Sequence, residues 1–335
     1  MGSGPVISVI IPTKDRPQVC RETVKALRKQ TVAPAEYEVV VVDDGYRPSP
    51  DLSRLRAWPQ CMVVRLGGRE RSAARNVGAE AASGELLLFL DDDITVGPGF
   101  VAAHLTAHRE WEGALVVGAI HLHEAGLKRP FARFRQALER QGIPSRRGAT
   151  DAKNSCTAGN MSMARRQFLQ LGGFDEALIS AEDQDLALRH SEAGGTIVFL
   201  PEAVGIHRDE ALDVRSYCRR VEWGSRHIVA FCRKHPAWPD NIAREQVNGP
   251  VRWGREPMAQ SARKVGKRLA GLRPILELLF AAAAVVERLA PRSPVLERMY
   301  RMLLGVHIYR GYRYAASRSI RHKPAVASGL SPKCG

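Results

Sequence analysis

Four short apolar runs constrain this chain more than any other feature. Residues 6–11 (VISVII), 37–42 (YEVVVV), 61–65 (CMVVR) and 85–90 (ELLLFL) are rich in β-branched or long aliphatic side chains, and a polar or turn-forming residue ends each. Apolar runs of this length without alternation fit strands buried on both faces. Between them, residues 17–30 put Cys20, Val24 and Leu27 on one helical face behind Pro17, which suits a first helical turn, and residues 71–82 form a second helical stretch ended by Gly84. Strand–helix alternation of this kind predicts a parallel sheet with right-handed crossovers and helices on both faces. Ligands of such sheets bind beyond the carboxyl ends of the strands. Asp43-Asp44-Gly45 follows the second run and Asp91-Asp92-Asp93 follows the fourth, so both acidic clusters are expected in one cleft.

The second half is less regular. Helices are expected at 131–141 and 184–193 and a strand at 196–200, while 158–164 has no clear form and the Pro- and Gly-bearing stretch 236–257 reads as a loop or linker. Charge divides the chain sharply. Residues 1–212 hold 26 Lys+Arg and 27 Asp+Glu, whereas 213–335 hold 24 Lys+Arg and 8 Asp+Glu, so the formal excess of +15 belongs to the last third. That asymmetry suggests an anionic partner for this end. The six cysteines, Cys20, Cys61, Cys156, Cys218, Cys232 and Cys334, are scattered without a CxxC pair and read as thiols of a reducing compartment. No basic leader precedes the first run, so no secretory signal is expected. The longest uncharged apolar stretch near the C-terminus, 278–286, is far short of a bilayer span.

Three adjacent carboxylates repel one another, and local stability alone would not select Asp91-Asp92-Asp93. A solvated turn explains them on bland grounds. A hard-cation site explains why they follow an apolar strand, with Asp91 and Asp93 facing one Mg2+ or Mn2+. Glu182-Asp183-Gln184-Asp185 is a second acidic cluster, behind the Gly172-Gly173-Phe174-Asp175-Glu176 turn. Taken alone it reads as a helix N-terminus dressed with acids that favour the macrodipole.

The ordered series VISVIIPTKDRP, VVVVDDG, SAARNVGAEAASGELLLFLDDD, AGNMSMARRQF, GGFDE and AEDQDLALR resembles the inverting family 2 glycosyltransferases of GT-A fold, over about residues 5–225. The resemblance implies an α/β, Rossmann-like mixed sheet as the catalytic domain (1–225), and 226–335 is expected as a basic, mainly helical C-terminal extension. The extension at 226–335 is read from charge and helical composition alone, since the resemblance ends before it. The resemblance implies a nucleotide-sugar site formed by Pro12, Thr13, Asp15, Arg16, Asp43, Asp44, Arg71, Arg75, Asp91 and Asp92. Within it, Asp43 and Asp44 would recognise base and ribose, and Arg71 and Arg75 would flank base and diphosphate. It implies Asp183 as general base, Asp91, Asp93 and His207 as holders of Mn2+ or Mg2+, and Gly159, Asn160 and Glu182 on the acceptor side. Lys14 departs from the pattern, since many relatives carry an aromatic residue or Asn there.

The activity implied is metal-assisted transfer of a sugar from a nucleotide-diphosphate donor, UDP by family frequency, to a glycan, lipid-linked or small-molecule acceptor. A nucleic-acid-binding protein using the basic last third with Tyr309, Tyr312 and Tyr314 is the alternative from another class, but it leaves the first 212 residues without a role, so no nucleic-acid partner is expected. A sugar-nucleotide nucleotidyltransferase would carry a Gly-rich basic loop after the first strand, which PTKDRP is not. The basic third also holds an apolar segment at 274–289 and a stripe of Leu296, Met299, Tyr300, Leu303, Leu304 and Ile308 bordered by arginines. These read as interfacial helices. The expected location is therefore the cytoplasm, peripheral on the inner face of the cell membrane.

Overall fold

The computed structural model describes residues 4–141, 146–150, 156–208 and 212–321. The chain forms two compact units, Met1–Val214 and Arg215–Gly335. In the first unit the elements run β1 (Ile7–Thr13), α1 (Pro17–Leu27), β2 (Tyr37–Asp43), α2 (Pro50–Ser53), β3 (Cys61–Arg65), α3 (Arg71–Ala81), β4 (Leu86–Leu90), β5 (Ile94–Val96), α4 (Phe100–Glu110) and β6 (Leu115–Leu122). They continue through α5 (Pro130–Arg140), β7 (Gly148–Ala149), β8 (Asn160–Ala164), α6 (Arg165–Gln170), α7 (Glu182–Glu192) and β9 (Ile197–His207).

The strands make one sheet in the order β3-β2-β1-β4-β8-β6-β9-β5, with β7 on β9. Neighbours from β3 to β4 are parallel, as the apolar runs predict. Beyond β4 the sheet turns mixed. β8 is antiparallel to β4 and β6, and β5 is antiparallel to β9. Residues 158–164 gave no clear pattern because β8 buries polar and apolar side chains alike. Met161 and Met163 enter one core layer, whereas the fully buried Asn160 and Ser162 meet His104 and His108.

Pleating sorts each strand onto two cores. Ile7, Val9, Ile11, Val39 and Val41 pack with Cys20, Val24 and Leu27 of α1. Ile10, Val40, Val42, Leu87 and Phe89 pack with Ala74 and Ala79 of α3. Gly78 lets α3 lie close to the sheet, since a Cβ there would stand 2.4 Å from Ile10 Cγ2.

The second unit is helical: α8 (Val214–Lys234), α9 (Pro239–Asn248), α10 (Met258–Ala270), α11 (Arg273–Leu289) and α12 (Pro294–Arg321). The boundary expected at 225/226 falls inside α8, where continuous helical hydrogen bonding offers no break, and the units divide at Val214 instead. The stretch expected as a linker contains α9, with Pro239 in its first turn. The stripe on α12 is not presented to solvent: Leu296, Tyr300, Leu303 and Leu304 are buried, and α12 packs on α9, α10 and α11. No single described helix is long and apolar enough to cross a membrane.

Candidate active site

The carboxyl ends of β1, β2 and β4 deliver Thr13, Asp43 and Asp91 to one edge of the sheet. Parallel register explains the convergence of the first two, because Thr13 pairs with Asp43. Buried Thr13 Oγ1 donates to Asp92 Oδ2 at 2.7 Å, and Thr23 Oγ1 donates to the Asp92 carbonyl at 2.7 Å. Arg16 closes this corner, pairing with Asp92 and, at 3.0 Å, with Asp93. Burial pushes the Asp92 carboxyl up to about 6, the Arg16 charge and the Thr13 hydroxyl oppose that rise, and Asp93 and Asp91 add to it. Pro12 is buried beside Thr13, and Asp15 is exposed at a positive φ of 55°.

Asp44 holds a loop. Its carboxylate accepts the backbone N–H groups of Gly68 and Arg69, both at 2.7 Å, and of Glu70 at 2.9 Å. That loop leads into α3, whose first residue, Arg71, is exposed and makes no ion pair among the described residues. Asp43 accepts Gly45 N–H at 3.1 Å and pairs with Arg65 at 3.2 Å. Lys14 pairs with Glu70 at 3.1 Å and lies over the Tyr46 ring.

Arg75 lies on the buried face of α3. It stands one helical turn after Arg71, but the helix face turns it inward and only 1% of it is exposed. Its guanidinium bridges Asp91 at 2.7 Å and Glu182 at 2.8 Å, so it joins the two acidic clusters. Glu182 is likewise buried in that ion pair. Burial alone would raise Asp91, yet Arg75, with Arg71 and His207, brings it below its ordinary value.

Asp183 follows Glu182 in the first turn of α7. Burial, then the Glu182 charge, pushes its carboxyl up to about 7, while Arg75 and the Gln184 and Ala158 amides pull the other way. The helix N-terminus therefore does not dominate. The Gly172-Gly173 turn precedes α7. Both glycines have positive φ, at 81° and 69°, and Asn76 grips Phe174 through its backbone N–H and carbonyl, each at 2.9 Å. Arg189 pairs with Asp185 at 2.8 Å and donates to the carbonyls of Leu171 and Gly173. Asn76 and Arg189 are positioning residues that sequence reasoning missed, and the i,i+4 spacing of Asp185 and Arg189 was their one visible signal.

His207 ends β9 beside β5, where Ile94 is its register partner. This brings His207 Nε2 to 3.5 Å from Asp93 Oδ1. Asp91 is turned to Arg75, and no group of three or more His, Cys, Asp or Glu side chains converges on one metal position among the described residues. The donor chemistry still suits a hard or borderline divalent ion, with carboxylate oxygens at Asp91 and Asp93 and an imidazole at His207.

Asn160 lies inside the sheet. It is fully buried; its amide nitrogen donates to the Ala119 and Ala203 carbonyls at 3.0 and 2.8 Å, and its oxygen meets His104 Nε2 at 3.0 Å. These bonds fasten the register shift between β6 and β9 at Gly118/Ala119, so Asn160 holds the strand that carries His207. Gly159 lies against Asp91, whose Oδ2 would stand 2.9 Å from a Cβ there.

Residues 8–172, which contain the Asp91-Asp92-Asp93 turn, match the sequence profile of Glycosyl transferase family 2. The chain belongs to glycosyl transferase family 2. Validoxylamine A glucosyltransferase of Streptomyces hygroscopicus subsp. limoneus is 31% identical over 268 residues, covering 70% of this chain and 57% of that protein. The enzyme of the same name from subsp. jinggangensis is also 31% identical, over 70% of this chain and 62% of its own length. The chain thus spans about three fifths of these relatives. Among solved structures, this family 2 glycosyl transferase resembles the mannosyltransferase PcManGT from Pyrobaculum calidifontis in complex with GDP-Man and Mn2+, with TM-score 0.61, 18% identity, and 93% of this chain and 88% of that one covered. It also resembles S. aureus TarS in complex with UDP, with TM-score 0.50, 16% identity and coverage of 92% and 91%. The fold is GT-A, as the mixed sheet shows.

Proposed function

We propose that the chain is an inverting glycosyltransferase that moves a sugar from a nucleotide-diphosphate donor, UDP first among the nucleotides, to the hydroxyl of a glycan, lipid-linked or small-molecule acceptor. One observation carries this reading: Arg75 ties the Asp91 turn to the start of α7, so the diphosphate corner and the raised carboxyl of Asp183 share one cleft. Asp43 and the Asp44-held loop line the nucleotide end, with Arg71 as an unspent cation for the diphosphate. A carboxyl near neutrality suits a base at neutral pH.

In this reading Asp183 takes the acceptor hydroxyl proton as the acceptor oxygen bonds to the anomeric carbon. The bond from that carbon to the diphosphate oxygen breaks in the same displacement, and its electron pair leaves with the nucleoside diphosphate. One displacement inverts the anomeric centre. Asp91, Asp93 and His207 would hold Mn2+ or Mg2+, which when bound neutralises charge developing on the diphosphate. Arg16 and Arg75 offset the charge of these neighbouring carboxylates, Arg16 between Asp92 and Asp93 and Arg75 between Asp91 and Glu182. The neighbour solved with GDP-Man and Mn2+ supports the metal and donor class. We also propose that the basic second unit brings the enzyme to the cytoplasmic face of a membrane. The nucleic-acid reading loses support, since Tyr309 and Tyr312 are buried, and Tyr312 Oη donates to Glu245 at 2.6 Å.

The test is a sugar-nucleotide screen, scored for donor hydrolysis and transfer with and without EDTA. Metal-dependent turnover of one donor, with an inverted anomeric product by NMR, is expected. Full activity in excess EDTA sinks the metal assignment, and a retained anomeric configuration sinks the single displacement.

A further inference from the structure

Helix α11 has two unlike faces. Leu276, Phe280 and Ala283 are buried within the second unit. Ile275, Leu278, Ala282, Val285 and Leu289 recur at steps of three and four residues on the other face, and Leu278, Val285 and Leu289 are 70%, 54% and 81% exposed. This stripe contains no charged residue: Glu277 lies off it, bonded to Arg215 at 2.8 and 2.9 Å. A monomer surface seldom leaves so continuous an apolar row in water.

Ahead of the stripe, α10 and α11 meet at 87°. Their elbow supplies Leu269 and Leu272 to a groove of about 1050 Å³, which Trp253 and Tyr314 also line. Trp253 is 71% exposed. Four arginines, Arg226, Arg268, Arg310 and Arg313, stand in the same groove. Its one carboxylate, Glu222, is taken by Arg226 at 2.6 Å and His307 at 2.7 Å, with Arg310 at 3.5 Å. Arg268 and Arg313 make no ion pair among the described residues.

An apolar floor with unspent guanidinium groups and an exposed indole suits a molecule that is anionic at one end and apolar at the other. We infer that this groove and the α11 stripe together seat the second unit on an anionic phospholipid surface. Lipid phosphates enter between Arg268 and Arg313, and Leu278, Val285 and Leu289 sink into the acyl boundary. Charge complementarity selects this occupant. The unit carries 24 Lys+Arg against 8 Asp+Glu from residue 213 onward, so a second copy laid on the stripe would set like charges against each other. The inference rests on the membrane reading proposed above and adds the residues that make the contact.

Vesicle flotation of the full chain tests both levels. The lipids are phosphatidylcholine alone and phosphatidylcholine with phosphatidylglycerol, at low and at 0.5 M salt. Wild type should float with the anionic vesicles at low salt and lose most binding at high salt. Arg268→Gln with Arg313→Gln should lower the partition coefficient about 30-fold, equivalent to about 1 kcal/mol per basic residue. Leu278→Glu with Val285→Glu should lower it at least about tenfold. All these positions are exposed or line the open groove, and donor hydrolysis by each variant serves as the folding control. No flotation of wild type overturns the membrane reading itself. Wild-type flotation matched by both double variants leaves that reading standing and overturns this site. Two further outcomes overturn the lipid assignment. One is competition by inorganic phosphate with no dependence on the stripe, and the other is a vesicle-free dimer in light scattering that Leu278→Glu dissolves.

Discussion

At the residue scale, the chemistry rests on opposing influences on a few carboxyls. Asp183 is held up near 7 by burial and by Glu182, against Arg75. Its basic form is lost as pH falls through that value, so kcat/KM should climb along an acidic limb near pH 7. Glu182→Gln removes the raising charge and leaves Arg75 unopposed there, so the limb should move to lower pH. An unmoved limb would assign it to another group. Asp183→Asn should lower kcat about 10²–10⁴-fold with donor affinity nearly kept. The same raised carboxyl acts on stability with the opposite sign. The folded state binds the proton more tightly than the unfolded chain, whose carboxyl titrates near 3.9, so this group's contribution to stability falls as pH rises from about 4 to about 7. The two arginines of α3 show how little spacing alone says: four residues apart on one helix, Arg71 is exposed and Arg75 buried between two acids.

At the element scale, loops and helix starts set the site. The Asp44 carboxylate gathers three backbone N–H groups of the loop before α3. Asp44→Ala leaves them without that acceptor, at about 1–3 kcal/mol. Donor affinity measured by calorimetry should fall roughly tenfold or more, and metal binding should persist. Unchanged affinity would remove this loop from the nucleotide site. The Gly172-Gly173 turn is fastened to α7 through Arg189, which pairs with Asp185 in the first turn of that helix. Gly173→Ala places a Cβ 2.8 Å from Asn76 Oδ1 at a φ of 69°. A left-handed backbone alone costs about 1–2 kcal/mol for a residue with a Cβ. Urea unfolding should show at least that loss, and kcat should drop as Asp183 shifts. Full stability in Gly173→Ala would mean that the turn relaxes freely.

At the scale of the whole molecule, the chain joins an electrically balanced α/β unit to a basic helical one. The sheet buries its thiols as it buries its carboxyls. Burial raises Cys20 and Cys156 well above the ordinary thiol and Cys61 to about 12, and Cys232 in the helical unit is raised too. These four should stay unmodified by a thiol reagent at pH 8 in the native protein and react fully in guanidinium, as peptide mapping will show. Rapid native labelling of Cys20 or Cys156 would contradict the packing of the sheet. Cys334 lies outside the described residues.

The sequence by itself determined the parallel half of the sheet, because VISVII, YEVVVV and ELLLFL have no stable place except between two helical layers. It also determined that Asp43, Asp44 and Asp91–Asp93 would meet, since strand ends of one parallel sheet share an edge. The ordered motifs identified the family, and the charge count marked off the last third. Only the tertiary structure decided which polar residues face the cleft. Packing turned Asn160 and Arg75 inward, Asn160 onto the Ala119 and Ala203 carbonyls and Arg75 between Asp91 and Glu182. Of the two helices expected at an interface, it covered the stripe of α12 and left an apolar face of α11 exposed. Both helices carry apolar stripes, and which one is covered depends on the neighbours that fold against it, a property that no local period records.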